Sequence, residues 1–461
     1  MTNPKTSYYN ISERKVLLRF VDIILLILSL FIASIYLEFN YITFYNPNSI
    51  YWLLLLTFYY ILFGEIFQLY NLNVSNNRYL IVRSVVLTAF VTTVFYIFTP
   101  FLSPSLPLNR LQIVYFFLVL SVPIVVWRFL YMWLIFSPKY FKSVVFIGKS
   151  DRIKKMILQI KDDNIHHVNA YISDQEIPGV KGFININSVK LLEIISKEFV
   201  SEVIVSKEDL SNDEIKIINK DLIHLFENGV NIISFENFYE NVTARVPREY
   251  LNYDFFKYIN FSKNSNSKLY LLGLRVLDLM VSIIGLLLFF ILLPFLLIGN
   301  LFGNKGKLFY SQERVGINGK IFKIYKLRSM VKNAEKEGAV WAAKNDARIT
   351  SFGKFLRNTR LDEFPQFYNI LKGDMSLIGP RPERPEFVET LETEIPFYAI
   401  RHVVRPGLTG WAQVNYPYAN TLEEQETKLR YDLYYNKERN GFLDFKILIK
   451  TITTVLFFKG Q

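Results

Sequence analysis

The sequence predicts a membrane protein of α plus α/β class, with a four-helix transmembrane unit, a soluble α/β domain and a mainly α-helical C-terminal domain entered through a further membrane helix. Three observations predict it. Four long apolar runs precede Lys139, and another lies at Leu279–Gly299. Short β-branched runs alternate with amphipathic stretches from about Phe141 to Phe261, the pattern of a parallel sheet with crossover helices. A basic region dense in motifs fills the remainder. The 461 residues exceed what one domain usually needs, and 51% hydrophobic with 16% aromatic residues is high for a soluble chain.

The first unit is expected over residues 1–140. Its spans are Val16–Leu37, Ile50–Tyr70, Leu80–Phe101 and Leu111–Phe136. Each is about 20 residues or more, enough to cross a hydrocarbon core of roughly 30 Å as a helix. The first reads as a retained span, because no small-residue cleavage site follows it. Lys5, Arg14, Lys15 and Arg19 precede it, Arg78 and Arg83 mark the second-to-third turn, and Lys139 and Lys142 follow the fourth. The loop Glu38–Ser49 has no basic residue, and the loop before Leu111 has only Arg110. Both ends of the unit are therefore expected in the cytoplasm. Trp52, Trp127 and Trp133 suit the membrane interface. No paired charges that would mark a transport path are read within the spans.

The second domain, residues 141–262, carries the strand-like runs SVVFIG, EVIVS and VNIISF. Amphipathic stretches at Asp151–Lys161 and Asp213–Glu227 accompany them. A Rossmann-like arrangement follows. In VVFIGKSDR, Val144–Arg152, the strand is followed by Gly148 alone. A dinucleotide fingerprint needs three spaced glycines, so no NAD is expected and a regulatory or assembly role is favoured. The polar stretch Phe261–Lys268 reads as a linker.

The third domain, residues 268–461, opens with the apolar run Leu279–Gly299. Lys268 and Arg275 precede it, and Lys305, Lys307, Arg314 and Lys320 follow. Basic residues on both sides favour leaving both ends in the cytoplasm, and Pro294 removes a helical hydrogen bond inside the run. A re-entrant helix that bends at Pro294 and exits on the side it entered satisfies both. Ser282 is a donor for the freed carbonyls. An ordinary kinked fifth span is the alternative. The net charge of +12 suits anionic head groups or phosphorylated substrates. No nucleic-acid motif accompanies that charge, so no nucleic-acid partner is expected. The chain has no cysteine, which excludes disulfide and thiolate chemistry.

The densest signal runs from Phe309 to Asn415. It reads FYSQERVG (Phe309–Gly316), FKIYKLRSM (Phe322–Met330), NDARIT (Asn345–Thr350), FGKFLRNTRLDEFPQFYNILKGDMSLIGPRPERPEF (Phe352–Phe387) and VRPGLTGWAQVN (Val404–Asn415). These strings resemble the bacterial sugar transferases that act on polyprenyl phosphate, the monotopic phosphoglycosyl transferases. The resemblance covers nearly all of Lys268–Phe458. The layout of the chain resembles the larger members, which start exopolysaccharide, capsule or O-antigen repeat units. In them a four-helix unit and a Rossmann-like domain precede the catalytic module, and a homodimer through the N-terminal parts suits such proteins. One departure is Leu293, where relatives often carry a serine before the proline; it leaves the bend angle open.

From the residues themselves, Asp362 and Glu363 sit where NTRLDEFPQFYNIL begins a helix, with Thr359 and Asp362 spaced like a capping box. Plain N-terminal capping is one reading. In the other, helix amides attract phosphate while a carboxylate binds a divalent cation or attacks phosphorus. The resemblance implies the second. Asp362 would attack the phosphate attached to the sugar of a UDP-sugar, expel UMP, and pass the phospho-sugar to polyprenyl (undecaprenyl) phosphate. Glu363 would assist with metal or proton handling. A diphosphate met by a carboxylate needs neutralisation, for which Mg²⁺ held at Asp362 is the natural supplier. Lys326, Arg328, Arg357, Arg360 and Arg381 are the substrate-binding cations. The resemblance assigns Arg381, in GPRP, to the uridine diphosphate end. Lys354, Lys372 and Lys428 read as ordinary solvated charges. Trp411 reads as core or interface packing rather than base stacking. Phe442–Phe458 is either a helix on the membrane surface or a packed one. The expected setting is the bacterial inner membrane with the soluble domains cytoplasmic. A transporter or flippase of lipid-linked sugars, or an inactive scaffold, is the alternative.

Overall fold

The computed structural model describes residues 11–36, 41–42, 44–71, 78–107, 109–135, 142–160, 166–186, 200–207, 210–227, 230–251, 267–304, 306–331, 334, 346–416 and 419–456. Lys5, Lys139, Lys305, Asn345, Gln461, the side chains of Arg14 and Trp133, and the expected linker up to Asn266 lie outside them. The chain forms two compact units, Met1–Ile233 and Ser234–Gln461.

The first unit begins with four helices, α1 (Ile11–Tyr36), α2 (Ser49–Ile66), α3 (Arg78–Ile97) and α4 (Leu111–Ile135). All four are long and apolar enough to cross a membrane. Leu30, Leu56, Tyr60, Val85, Tyr96, Phe116 and Leu120 form their shared core. Phe20, Leu28, Leu54, Phe90 and Leu118 stay exposed on the outside. Helices apolar on every face have lipid as their solvent. One sequence reading is corrected here. Arg128 on α4 donates Nη2 to Asp22 Oδ2 on α1 at 2.5 Å, and both side chains are buried. Arg19 pairs with Glu65 beside them, and the Tyr70 ring lies 5.3 Å from the Arg19 guanidinium and 5.4 Å from that of Arg128. The spans therefore do contain paired charges.

The same unit holds a five-stranded sheet of β1 (Lys142–Ile147), β2 (His166–Ser173), β3 (Phe183–Asn185), β4 (Glu202–Val205) and β5 (Asn231–Ser234), in the order β3-β2-β1-β4-β5. β1 runs parallel to both β2 and β4, and β2 runs parallel to β3. Central strands of such a sheet are covered on both faces, and Val144, Val145, Phe146 and Ile147 are all buried. Helices α5 (Ser150–Ile160) and α6 (Asn212–Glu227) supply part of that cover: α5 buries Ile153, Met156 and Ile160, and α6 buries Ile218 and Leu225.

The second unit begins earlier than residue 268. Helix α7 (Phe235–Thr243) is capped by Ser234, whose Oγ accepts from Asn237 N at 3.3 Å. Its Glu240 pairs with Lys437 at 2.6 Å, and its Tyr239 hydroxyl accepts from Arg430. Trp411 Nε1 donates to Ala244 O just beyond it at 2.7 Å. Sequence reading placed this stretch in the preceding domain; its side chains pack on the C-terminal unit.

Helix α8 spans Lys268–Gly303 and continues through Pro294. It packs along the unit for most of its length. Arg275 donates to Ile370 O at 2.7 Å and Leu371 O at 2.8 Å, and Asp278 accepts from Ser376 Oγ at 3.0 Å and Leu377 N at 2.8 Å. Near its end, Asn300 Nδ2 donates to Gly306 O at 2.7 Å and the adjoining Asn304 Nδ2 donates to Arg328 O at 2.6 Å. Gly285 permits the close approach, since a Cβ there would lie 2.5 Å from the Phe367 ring. The other face exposes Leu272, Met280, Leu287, Phe290 and Phe295. Ser282, expected to serve the carbonyls freed at Pro294, is buried with no hydrogen-bond partner for its hydroxyl among the described residues.

The hairpin β6 (Phe309–Val315) and β7 (Ile321–Leu327) follows α8. Asn318 and Gly319 take positive φ at its turn, as that residue pair readily does. Helices α9 (Ser351–Asn358), α10 (Gln366–Lys372), α11 (Pro385–Glu394), α12 (Trp411–Asn415), α13 (Leu422–Glu438) and α14 (Gly441–Leu456) complete the unit, with the short parallel pair β8 (Ser376–Ile378) and β9 (Gly407–Thr409). Ile324, Ile370, Met375, Ile378, Trp411 and Ile447 share one core.

Candidate active site

Asp362 and Glu363 stand on a single 3-10 turn, Leu361–Glu363, between α9 and α10. Arg360 precedes it with a left-handed backbone, φ 58°, and breaks the helical path before the acids. The expected capping box is therefore absent. Thr359 instead closes α9, its Oγ1 donating to Phe355 O at 2.9 Å and Leu356 O at 3.2 Å. Helix α10 starts only at Gln366, after Pro365, and runs seven residues. What surrounds the acids is not a helix N-terminus but side-chain cations.

Glu363 is the centre of that ring. Its carboxylate lies 3.9 Å from Lys326 Nζ, 3.9 Å from Arg360 Nη1 and 3.6 Å from Arg381 Nη1. Burial pushes the Glu363 carboxyl up, but Lys326, Arg381 and Arg360 outweigh it and hold the group below its ordinary range. Asp362 differs. Burial and then the Glu363 charge push its carboxyl above the ordinary range, although Lys326, Arg357 and Arg360 pull against them. Its Oδ1 is buried with no hydrogen-bond partner among the described residues. Adjacent carboxylates driven apart in this way take different chemical roles.

The cations come from separate elements. Lys326 stands near the end of β7, where burial and then the Arg381 charge hold its ammonium down at about 8. Arg357 on α9 donates Nε to Ser329 Oγ at 2.9 Å, and burial lowers its guanidinium. Arg381 follows β8, and its main-chain carbonyl accepts from Arg401 Nη2 at 3.0 Å. Six of the seven sequence-derived residues thus converge. Arg328 does not: its guanidinium points at the turn near Gly306, and it makes no ion pair with either acid among the described residues.

Residues the sequence reading did not select complete the cleft. Arg314, Gln366 and Gly407 line a pocket there together with Lys326 and Arg381, which the sequence reading had selected. Arg314 donates to Pro382 O at 3.2 Å and to Gln312 Oε1 at 2.7 Å; burial holds its guanidinium down at about 10. Gln366 is buried, its Nε2 without a hydrogen-bond partner among the described residues. Arg314 had served only as a flanking charge, although it lies inside FYSQERVG. Behind the cleft, Arg401 pairs with Asp432 at 2.7 Å with both side chains buried. Lys428, read as solvated, pairs with Glu383, while Lys372 pairs with Asp374 at 3.0 Å.

Trp411 is packed in the core with Lys446 Nζ 5.1 Å and Lys450 Nζ 4.8 Å from its ring centre, which removes it as a base-stacking platform. On α14, Leu443 and Ile447 face inward while Phe442, Phe445 and Ile452 stay exposed. Among the described residues no group of three or more His, Cys, Asp or Glu could hold a metal ion. A divalent cation would have to rest on fewer than three such side chains, with phosphate oxygens and water completing its shell. The unpartnered Asp362 Oδ1 fits that requirement.

The profile of the bacterial sugar transferase family matches residues 269–458, the stretch that carries this cleft. The uncharacterized sugar transferase EpsL of Bacillus subtilis is 40% identical over 152 residues, 33% of this chain and 71% of that protein. The chain belongs to the bacterial sugar transferase family. A UDP-N-acetylgalactosamine-undecaprenyl-phosphate N-acetylgalactosaminephosphotransferase of Aeromonas hydrophila is 41% identical over 217 residues, 47% of this chain. The match spans half of that relative's length. Beyond the transferase region, the galactosyl transferase CpsE of Streptococcus agalactiae is 29% identical over 343 residues, 70% of this chain and 69% of that protein.

Proposed function

We propose that this sugar transferase moves a sugar-1-phosphate from a UDP-sugar to undecaprenyl phosphate, releasing UMP and starting an exopolysaccharide, capsule or O-antigen repeat unit. The observation that carries the reading is the separation of the two acids: Glu363 neutralised by three cations, and Asp362 beside it with a buried oxygen unpaired.

The chemistry follows from that arrangement. An Asp362 oxygen attacks the phosphorus that bears the sugar. The bond from that phosphorus to the bridging oxygen breaks, and UMP leaves with the bridging oxygen. The resulting aspartyl phospho-sugar is attacked by an oxygen of undecaprenyl phosphate, which restores the carboxylate and gives the diphospho-linked sugar. Arg381 and Lys326 hold the negative charge of the donor, and Arg357 and Arg360 hold Asp362 and Glu363 in place. Mg²⁺, held by the second Asp362 oxygen, would neutralise phosphate charge in the same cleft.

A membrane-embedded acceptor must meet this cleft at the surface of the bilayer. The contacts of α8 from Arg275 to Asn304 on one unit support a helix that enters and returns on one side, and its exposed apolar face supports lipid contact. By the distribution of basic residues that side is the cytoplasm.

UMP release from a panel of UDP-sugars, with and without undecaprenyl phosphate, tests the reaction. Turnover should require the lipid, and labelled sugar-phosphate should stay on the protein when the lipid is withheld. A transporter or an inactive scaffold releases no UMP. Single-cysteine variants at Lys268 and Gln461, clean in a chain without native cysteine, test the topology. Labelling from opposite faces of sealed vesicles defeats the re-entrant reading.

A further inference from the structure

A second cavity lies in the sheet domain of the first unit, and the catalytic reading leaves it unused. It is an open crevice of about 350 Å³ lined by Gly148, Lys149, Asp174, Ile186, Leu210, Ser211 and Glu214. That volume falls at the low end of small-ligand sites, roughly 300–1,000 Å³. It would hold a nucleoside and little more.

Its position has a topological cause. Gly148 and Lys149 follow β1, Asp174 follows β2, and Ile186 follows β3. Leu210 and Glu214 come from the connection after β4 and the start of α6. All of them stand at the carboxyl ends of parallel strands. The order β3-β2-β1-β4-β5 reverses direction between β1 and β4. The crevice outside such a reversal is where open parallel sheets receive ligands, because the connections diverge there and leave a gap.

The lining specifies chemistry. Ile186 and Leu210 supply the apolar part of the lining. Asp174 Oδ1 accepts from Ser150 N at 3.0 Å, and Glu214 Oε2 accepts from Ser211 N and Oγ at 2.7 Å each. These bonds hold both carboxyls below their ordinary range, so both are ionised acceptors at neutral pH. Both acids line the crevice as acceptors, and an acid at the end of the second strand is where ribose hydroxyls are read in such sheets. Pyrophosphate does not suit the place. Only Gly148 offers an approach without a side chain, the Ser150 amide is taken by Asp174, and two carboxylates face the single ammonium of Lys149. A single phosphate is the most that Lys149 can neutralise.

We propose that this crevice binds a ribonucleoside, its ribose diol on Asp174 and Glu214, its base against Ile186 and Leu210, and Lys149 receiving at most one phosphate.

The test is calorimetric titration of the full-length protein in nanodiscs with adenosine, guanosine, cytidine and uridine, their 5′-monophosphates and the matching 2′-deoxynucleosides. At least one ribonucleoside should bind, and its 2′-deoxy form should bind at least tenfold more weakly. Asp174→Asn with Glu214→Gln should weaken binding at least tenfold. Lys149→Ala, at an exposed position, should weaken the monophosphate and leave the nucleoside unchanged. Arg381→Ala should leave nucleoside binding intact while lowering UMP release, which separates this site from the catalytic cleft. Binding of none of the four ribonucleosides to wild type overturns the proposal. So does equal binding of the deoxy forms, or unchanged binding to the Asp174/Glu214 variant.

Discussion

Arg401 Nη2 donates to the main-chain carbonyl of Arg381 at 3.0 Å, and the same nitrogen lies 2.7 Å from Asp432 Oδ2. A buried ion pair on α13 and its neighbouring turn therefore fixes the backbone from which Arg381 reaches Glu363. Arg401 also donates to the Tyr398 hydroxyl at 2.8 Å, so its guanidinium is held in one orientation. Arg401→Lys keeps the charge but loses this fork. It should lower kcat/KM for the UDP-sugar about tenfold, chiefly through KM, with a smaller effect on melting temperature. A loss of stability with unchanged KM assigns Arg401 a purely structural role.

The two acids should respond differently to neutral isosteres. Asp362→Asn removes the attacking oxygen and should abolish UMP release, leaving no labelled sugar-phosphate on the protein. Glu363→Gln leaves three cations around an uncharged amide. It should lower kcat by about two orders of magnitude while covalent labelling at Asp362 persists, measured by intact-mass spectrometry. Labelling of the Asp362→Asn protein defeats the nucleophile assignment.

The dependence on pH follows from the same environments. The attacking form of Asp362 is the carboxylate, and its carboxyl is held above the ordinary range by burial and by Glu363. Activity should therefore fall on acidification at a higher pH than a free aspartate would give. Lys326 carries its charge below about 8, so donor binding should weaken as pH rises through that value. Together these give a bell-shaped profile of kcat/KM. Lys326→Arg replaces the titrating ammonium with a group charged throughout and should shift the alkaline limb upward. An unmoved limb removes Lys326 from the clamp.

How much of this was legible depends on the distance over which each feature is encoded. The spans were readable because uninterrupted apolar length is local; Leu111–Phe136 was expected and α4 is Leu111–Ile135. That most of the acids and cations picked from the motifs would lie near one another was readable too, six of the seven doing so. Their geometry was not. NTRLDEF has the spacing of a capping box, but Arg360 takes a left-handed backbone that the spacing does not encode, and local pattern gave a helix start where a 3-10 turn stands. Partners far apart in sequence were invisible. Arg401 and Asp432 are 31 residues apart and Asp22 and Arg128 are 106, beyond any periodicity.

The pair Asp22–Arg128 gives the last prediction. Both side chains are buried between α1 and α4, in a setting where a lone charge has no water to turn to. Breaking one partner should therefore cost far more than removing both. Asp22→Asn leaves the guanidinium uncompensated and should destabilise the helical unit by about 3–5 kcal/mol. The double variant Asp22→Leu, Arg128→Met fills the same space with apolar groups and should recover most of that loss, because replacing a buried pair by hydrophobic residues is commonly near neutral. Denaturant titration of the protein in detergent, run as a double-mutant cycle, measures the coupling. A double variant as unstable as the sum of the single changes means that the two charges act independently, and the pairing then contributes nothing to holding α1 against α4.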